Sequence, residues 1–421
     1  MATLLERFLR RFIQHGDLEI ETGSGQTFRI GDRTGAPAGV RFADARSEWR
    51  LLRDPEFALG ELYMEGRLTL TRGDIYDLLA IGVRNIEAPN SRWVAALQRT
   101  RTALRRWRRN DLVRAGRNVS HHYDIDARLY AMFLDGDLQY SCAYFEHADD
   151  SLDQAQLAKK RHIAAKLLVD PGHKVLDIGC GWGGLALYLA DPCEASVLGV
   201  TLSTEQLSLA QSRAEERGLA SKVRFRLQDY RQITERFDRI VSVGMFEHVG
   251  LADYDVFFQT AARALKPDGV MLLHTIGNTG VPAPTNPWVE KYIFPGGYVP
   301  SMSEIMPAIE RAGLKATDVE ILRIHYAKTL REWRDRFMAH RAQAAALYDE
   351  RFCRMWEFYL ALAETVFRAG LNVVFQIQLA KDVEAVPLTR DYIFERERQL
   401  RARESAERPA HDLSSAGTPW R

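Results

Sequence analysis

The 421 residues carry 57 Lys+Arg against 56 Asp+Glu, a formal net charge of +1, so no global field draws the chain to nucleic acid or membrane and any such affinity must be local. With 46% hydrophobic and 27% charged residues, the composition is that of a globular chain, neither disordered nor fibrous, and the length suggests about two or three folding units. The four cysteines, Cys142, Cys180, Cys193 and Cys353, form no CxxC pair, which argues against a zinc site and a disulfide framework and predicts a reducing, cytoplasmic setting.

In chain order, Leu4, Leu5, Phe8, Leu9, Phe12 and Ile13 recur at helical spacing with Arg7, Arg10 and Arg11 between them, predicting a basic amphipathic helix without the apolar core of a signal peptide. Short alternating pieces at Leu18–Ile20 and Thr27–Ile30 read as strands between glycine-rich turns, up to about Arg41. Helical patterning follows, with breaks, from Ser47 to about Gly82. Arg101, Arg105, Arg106, Arg108, Arg109 and Arg114 then surround Leu104 and Trp107, as in a basic linker. From Lys174 strands are predicted at Lys174–Ile178, Ser196–Val200, Val223–Leu227, Arg239–Val243, Val270–His274, Val319–Ile324 and Val373–Leu379. They alternate with helices at Thr204–Arg217, Tyr254–Leu265 and Ser303–Ala312 and with a long, broken helical insertion over Leu330–Arg368. The fold class is therefore α/β: a doubly wound, Rossmann-like sheet of seven strands with a helical lid and a smaller N-terminal α+β domain. The boundaries read as 1–98, a linker over 99–117, the α/β domain over 118–403 and a polar, disordered tail over 404–421. No apolar run approaches the roughly 20 residues of a membrane span.

The segment Val175–Gly184 runs from a buried strand through a glycine turn into a helix near Leu185. Gly179, Gly181 and Gly184 satisfy GxGxxG, which alone is a weak signal for a dinucleotide. A nicotinamide site wants an acid about 20 residues on, at the end of the second strand. That position reads Gly199-Val200-Thr201-Leu202-Ser203, without one. Asp177 stands instead inside the first strand, where a carboxylate repels a pyrophosphate and suits a cation. S-adenosylmethionine carries an ammonium and a sulfonium and no phosphate, so the loop points to that cofactor. Thr201 and Gln206 offer uncharged hydrogen bonds to a ribose, and Gln228-Asp229-Tyr230 sets a carboxylate and an aromatic face where an adenine would lie. Read structurally, Asp229 is an ordinary strand-end turn residue.

Val175–Gly184, Ile240–Gly250 with Glu247-His248, Leu272–Gly277 and Tyr292–Gly297, with Tyr140-Ser141-Cys142 upstream, together resemble the cyclopropane fatty acid synthase family, over about Arg117 to Val383. The resemblance implies a class I methyltransferase fold and methylene addition from S-adenosylmethionine to the cis double bond of an unsaturated membrane phospholipid. It implies bicarbonate as the base, held by Cys142, Glu247, His274, Ile276 and Tyr326, with Ile276 giving its backbone N–H. Glu247 beside an anion requires a shared proton or hydrogen bond to offset the repulsion. Cofactor contacts are implied at Tyr140, Ser141, Asp177, Gly179, Gly181, Gly183, Thr201, Leu202, Gln206, Gln228, Asp229 and Tyr230.

No metal is expected: in His121-His122-Tyr123-Asp124 adjacent histidines do not share a helix face and no third ligand is evident. Cys180, Cys193 and Cys353 read as structural, and the aromatics of the lid as core with some members lining an acyl channel. A lipid substrate implies docking on an anionic bilayer, for which Leu4–Ile13 and Arg99–Arg117 are suited, the bland alternative being a packed helix with a solvated charged face. The expected protein is cytoplasmic, peripherally membrane-associated, without a nucleic-acid partner, and compatible with a homodimer. Three other readings stand beside it: a lipid C-methyltransferase giving a methyl-branched product, a silent binding module and a small-molecule methyltransferase.

Overall fold

The computed structural model describes residues 3–86 and 126–406. The basic segment Arg99–Arg117, the pair His121-His122 and the residues from 407 onward lie outside the described residues.

The N-terminal unit is a four-stranded sheet in the order β2-β1-β3-β4, built from β1 Asp17–Glu21, β2 Thr27–Ile30, β3 Pro37–Phe42 and β4 Leu68–Arg72. Helical patterning predicted through to Gly82 overlooks β4; the helices are Ala45–Arg53, Pro55–Met64 and Ile75–Ile86. The first helix, Leu4–Phe12, is amphipathic as predicted, but Leu5, Leu9 and Ile13 are buried in the core of this unit. Its apolar stripe is thus occupied by packing, and the exposed side keeps Leu4, Arg7, Arg10 and Arg11.

The second unit holds seven strands in the order β10-β11-β9-β8-β5-β6-β7. They are β5 Lys174–Ile178, β6 Ser196–Thr201, β7 Val223–Leu227, β8 Phe237–Val243, β9 Leu265–Asn278, β10 Lys315–Leu322 and β11 Asn372–Ala380. β5 to β9 are mutually parallel and β11 runs antiparallel between β9 and β10. The strand order reverses at β5, and ligands of open α/β sheets gather beyond the carboxyl ends of strands at such a point. Predicted strands and helices fall within a few residues of their observed bounds, and the broken insertion resolves into helices His325–Ala339, Arg341–Leu347 and Glu350–Arg368. No helix among the described residues is long and apolar enough to cross a membrane.

One helix of consequence escapes the periodicity. Leu152–Lys166 is capped by Ser151 and Gln154 and buried almost all round, with Lys159, Lys160, Arg161, His162 and Lys166 inside the protein. Buried cations must be paired or hydrogen-bonded. Arg161 pairs with Glu146 and Glu404, and His162 lies between Glu320 at 2.7 Å and Glu397 at 2.6 Å. Glu397 and Glu404 belong to a further helix, Asp391–Ala406. The chain therefore stays ordered past Glu404, where the polar composition suggests a tail, because Arg161 and Tyr188 hold that carboxylate.

The N-terminal unit and the lid share one hydrophobic core. Helix Pro55–Met64 meets the fully buried Trp288, whose indole N–H reaches Met64 Sδ at 3.2 Å. Gly60 makes the approach possible, since a Cβ there would strike the Trp288 ring. Tyr63 donates to Glu357 at 3.0 Å, and Arg334 pairs with Asp74 at 3.0 Å across the same interface. Gly60→Ala is expected to destabilise the protein by about 1–3 kcal/mol through overpacking. Urea denaturation followed by tryptophan fluorescence checks it; an unchanged midpoint would show that Trp288 can move aside.

Candidate active site

A cleft opens at the carboxyl ends of β5, β6, β7 and β8, where the strand order reverses. Its lining includes Tyr140, Ser141, Asp177, Gly179, Gly181, Thr201, Leu202, Gln206, Gln228, Asp229 and Tyr230, all expected at a cofactor site. Gly183 stands outside the lining. It caps the helix Gly184–Ala190 at a φ of 81°, and a Cβ on it would meet Phe225 at 2.7 Å, so its glycine serves the turn and the packing behind it.

The glycine turn is drawn against β6: the N–H groups of Gly179 and Cys180 both donate to the carbonyl of Val200, at 3.0 and 3.1 Å. Gly179 has a φ of 81° and lies under Met245, whose Cγ would be 2.7 Å from a Cβ. Asp177 ends β5 inside the protein, and its Oδ2 is buried with no hydrogen-bond partner. Desolvation raises its pKa to about 7. A cationic ligand group supplies what that oxygen lacks.

Thr201 Oγ1 donates to Gln206 Oε1 at 2.8 Å, which fixes the amide at the start of helix Thr204–Glu216. Asp229 accepts from the backbone and side chain of Arg231 at 2.7 to 2.9 Å. Its carboxylate thus caps the turn Tyr230–Gln232 even as the residue lines the cleft, so the turn role read from the sequence holds alongside any contact to a base.

None of the residues expected to hold an anion lines the cleft itself. His274 sits on β9 between β8 and β11, with Nδ1 3.2 Å from the amide nitrogen of Gln376. The amide can only donate, which assigns Nδ1 as acceptor and leaves the proton on Nε2. Burial and the nearby cations Lys159, Lys166 and His162 push the pKa of His274 well down, so the ring is neutral. Its Nε2 is buried without a partner. Glu247, on the short turn Phe246–His248 after β8, accepts from the Ile276 N–H at 2.6 Å through Oε1. The Ile276 N–H, expected at the anion, is thus engaged by Glu247. Glu247 Oε2 is also buried without a partner, and desolvation raises the pKa of its carboxyl.

Cys142 is buried, its thiol directed to the carbonyl of Ala143 at 3.3 Å and its pKa raised by burial, so it is no nucleophile. The backbone N–H groups of Ala143 and Phe145 donate to Thr329 and His325 in the first turns of helix His325–Ala339, the helix that carries Tyr326. Tyr326 is buried against Trp333 and Phe367. An aromatic cluster of Tyr130, Phe133, Tyr140, Trp182, Trp333 and Trp356 continues from the cleft into the lid.

Three lining residues carry chemistry that periodicity and spacing left unassigned: Lys159, Met245 and His248. Burial lowers the pKa of His248 to about 4, and the ring lies 6.1 Å from Phe294 of the Tyr292–Gly297 motif. The position of His248 in a turn next to Glu247 was the available signal.

A sequence model for the family described as mycolic acid cyclopropane synthetase matches residues 110–377. The chain is 40% identical over 351 residues to the cyclopropane-fatty-acyl-phospholipid synthase of Escherichia coli strain K12, covering 83% of this chain and 89% of that one. It is 34% identical over 397 residues to the tuberculostearic acid methyltransferase UfaA1 of Mycobacterium tuberculosis, covering 90% and 92%. A crystal structure of the mycolic acid cyclopropane synthase CmaA1 complexed with SAH and CTAB superposes with a TM-score of 0.60 at 36% identity, covering 63% of this chain and 97% of that one.

Gly179→Ala is expected to abolish detectable S-adenosylhomocysteine binding in isothermal titration, because it adds both left-handed strain of about 1–2 kcal/mol and a clash with Met245. Wild-type affinity in a folded variant would place the ligand elsewhere.

Proposed function

The chain belongs to the mycolic acid cyclopropane synthetase family and is an S-adenosylmethionine-dependent methyltransferase, and from that premise we propose that it adds a methylene to the cis double bond of unsaturated phospholipid acyl chains. The observation that carries this reading is two buried atoms without hydrogen-bond partners, Glu247 Oε2 and His274 Nε2, linked through β9, where Ile276, two residues after His274, donates to Glu247. An alkene is a weak nucleophile and a sulfonium a strong electrophile, so attack of the alkene carbon on the methyl leaves a cation that must lose a proton. Ring closure takes that proton from the new methyl.

Each part of the site has a role in this scheme. Asp177 holds the cationic amino-acid end of the cofactor at the end of β5. Tyr140, Trp333 and Trp356 exclude water and offer π-faces to a transient positive charge. His274 Nε2–H is a donor, and burial favours a protonated Glu247, which makes Oε2 a second donor. These two, with Cys142 and Tyr326, fit a small oxyanion, and the shared proton removes the repulsion that an ionised Glu247 would exert. Bicarbonate bound there supplies the base for the departing methyl proton. Ile276 acts through Glu247 by fixing its Oε1.

A second reading is a C-methyltransferase whose cation loses a proton from a neighbouring carbon, giving a methyl-branched product without a ring. The similarity to tuberculostearic acid methyltransferase over 90% of the chain favours it enough to test. Gas chromatography with mass spectrometry of lipids from an expressing cell separates ring from branch. Glu247→Ala should lower turnover by about 10²- to 10⁴-fold while cofactor binding persists. No added methylene mass from the wild type rejects both readings, and unchanged yield from the variant rejects the anion-site assignment.

We also propose peripheral docking on an anionic bilayer. Because Leu5, Leu9 and Ile13 are committed to the core, the first helix attracts headgroups through Arg7, Arg10 and Arg11 without inserting its stripe. Pelleting with phosphatidylglycerol vesicles should fall with rising salt and fall further in the Arg7→Glu, Arg11→Glu double variant. Equal pelleting of both proteins would move the contact off this helix.

A further inference from the structure

We propose that Lys159 is a positioning residue of the methyl-transfer site: with Gln156 it clamps the strip Gln139–Cys142 against the glycine turn, and its ammonium sets the charge between Asp177 and His274. The proposal rests on reading the cleft as the S-adenosylmethionine pocket.

The geometry is that of a two-point clamp. Lys159 and Gln156 lie one turn apart on helix Leu152–Lys166 and are both fully buried. Lys159 Nζ donates to Gln139 Oε1 at 2.7 Å and to Ser141 Oγ at 2.8 Å. Gln156 Nε2 donates to the carbonyls of the same two residues, at 3.3 Å to Gln139 and 3.0 Å to Ser141. One side chain therefore holds the side chains of the strip and the other its backbone. The Gln139 side chain in turn bears on the glycine turn so closely that a Cβ on Gly184 would strike its Nε2, with the Asp137 carboxylate beside it. Tyr140 and Ser141 line the cofactor cleft, and Cys142 follows directly. A displacement of this strip moves a wall of the cleft and the anion site together.

A neutral residue could make the same hydrogen bonds more cheaply. Burying an ammonium without a counter-ion is costly, and among the described residues no carboxylate lies within ion-pairing distance of Lys159. Its contacts are a neutral amide and a neutral hydroxyl. The charge acts instead at longer range, favouring an ionised Asp177 and a neutral His274. The other charged or titratable groups facing this pair are Asp135, which raises the pKa of Lys159, Asp137, which is tied to Lys160 and Arg213, and Cys180 beside Asp177. Burial brings Lys159 down to about 8, still mostly charged at neutral pH, and Asp177 stands at about 7.

The sign of the effect follows. A cationic ligand needs Asp177 ionised, so affinity rises with pH through the Asp177 titration. Removing the Lys159 charge takes away an influence that lowers that pKa, so the rise moves to higher pH.

The test is S-adenosylhomocysteine affinity of the full-length protein by titration calorimetry from pH 5.5 to 9, for the wild type, Lys159→Met and Gln156→Met. Wild type is expected to show inflections near 7 and 8. Lys159→Met should lose the upper one, shift the lower one upward and bind about fivefold more weakly at pH 7, the fall in the ionised fraction for a rise of about one pKa unit from about 7. Gln156→Met should weaken binding with both inflections in place. Superimposable profiles for the two variants would reduce Lys159 to a packing role and overturn the proposal. If Lys159→Met does not fold, a single wild-type inflection overturns it equally. No binding by wild type at any pH would remove the reading of the cleft, and the inference with it.

Discussion

A carboxylate taken out of water without a protein partner costs several kcal/mol, and Asp177 bears that cost at the point where the sheet reverses its strand order. Around it the chain uses burial to set protonation. Glu247 is pushed toward its neutral form, His274 is kept neutral and Cys142 is kept a thiol. Lys159 on helix Leu152–Lys166 opposes that burial at Asp177, favouring its ionised form, and with Lys166 it reinforces the neutral form of His274. On the proposed reading the site is prepared for a cationic donor on one side and an anion on the other. That is the combination required when a sulfonium donor must be used beside an anionic base.

The parts of this arrangement that depend on local backbone geometry are legible in the residues. Gly179 and Gly181 mark left-handed turns, Asp177 and the acid missing after β6 separate a cationic ligand from a dinucleotide, and alternating apolar runs place the seven strands. The parts that depend on tertiary burial are not. Leu152–Lys166 reads as a polar stretch because it is enclosed on every side and so has no stripe. β4 hides within a helical-looking stretch because Leu68, Leu70 and their neighbours take their conformation from pairing with β3. Gly183 also caps a helix against Phe225, and the Ile276 N–H donates to Glu247, since only coordinates show which acceptor an amide has found. That Cys142, Glu247, His274, Ile276 and Tyr326 act together is an expectation from the family resemblance; spacing alone would not have joined positions so far apart in sequence.

The two folding units are not beads on a linker. One core runs from Leu5 and Leu9 through Leu62 and Met64 to Trp288, Trp356 and Phe358, so the N-terminal unit forms the back of the lid. Inter-domain contacts that are apolar and continuous transmit position, whereas polar, hydrated ones permit relative motion. Here Gly60 against Trp288 and the ion pair of Arg334 with Asp74 fix the N-terminal sheet to the helices that wall the site.

The Tyr292–Gly297 motif completes the connection. Tyr292 donates to Glu61 of the N-terminal unit at 2.6 Å, and Phe294 packs on Tyr359 in the lid and faces His248 in the cleft. Tyr298, directly after the motif, donates its N–H to the carbonyl of Glu247 at 2.9 Å. A short stretch of chain thus touches in turn the unit that carries the exposed arginines, the aromatic wall and the acid whose second oxygen is unpartnered. On the proposed reading, in which the acyl chain is drawn from a bilayer surface, the distance from that surface to the reacting carbon must be fixed. A strut of consecutive residues between the two ends fixes it more firmly than packing alone, because each contact constrains the next through covalent geometry.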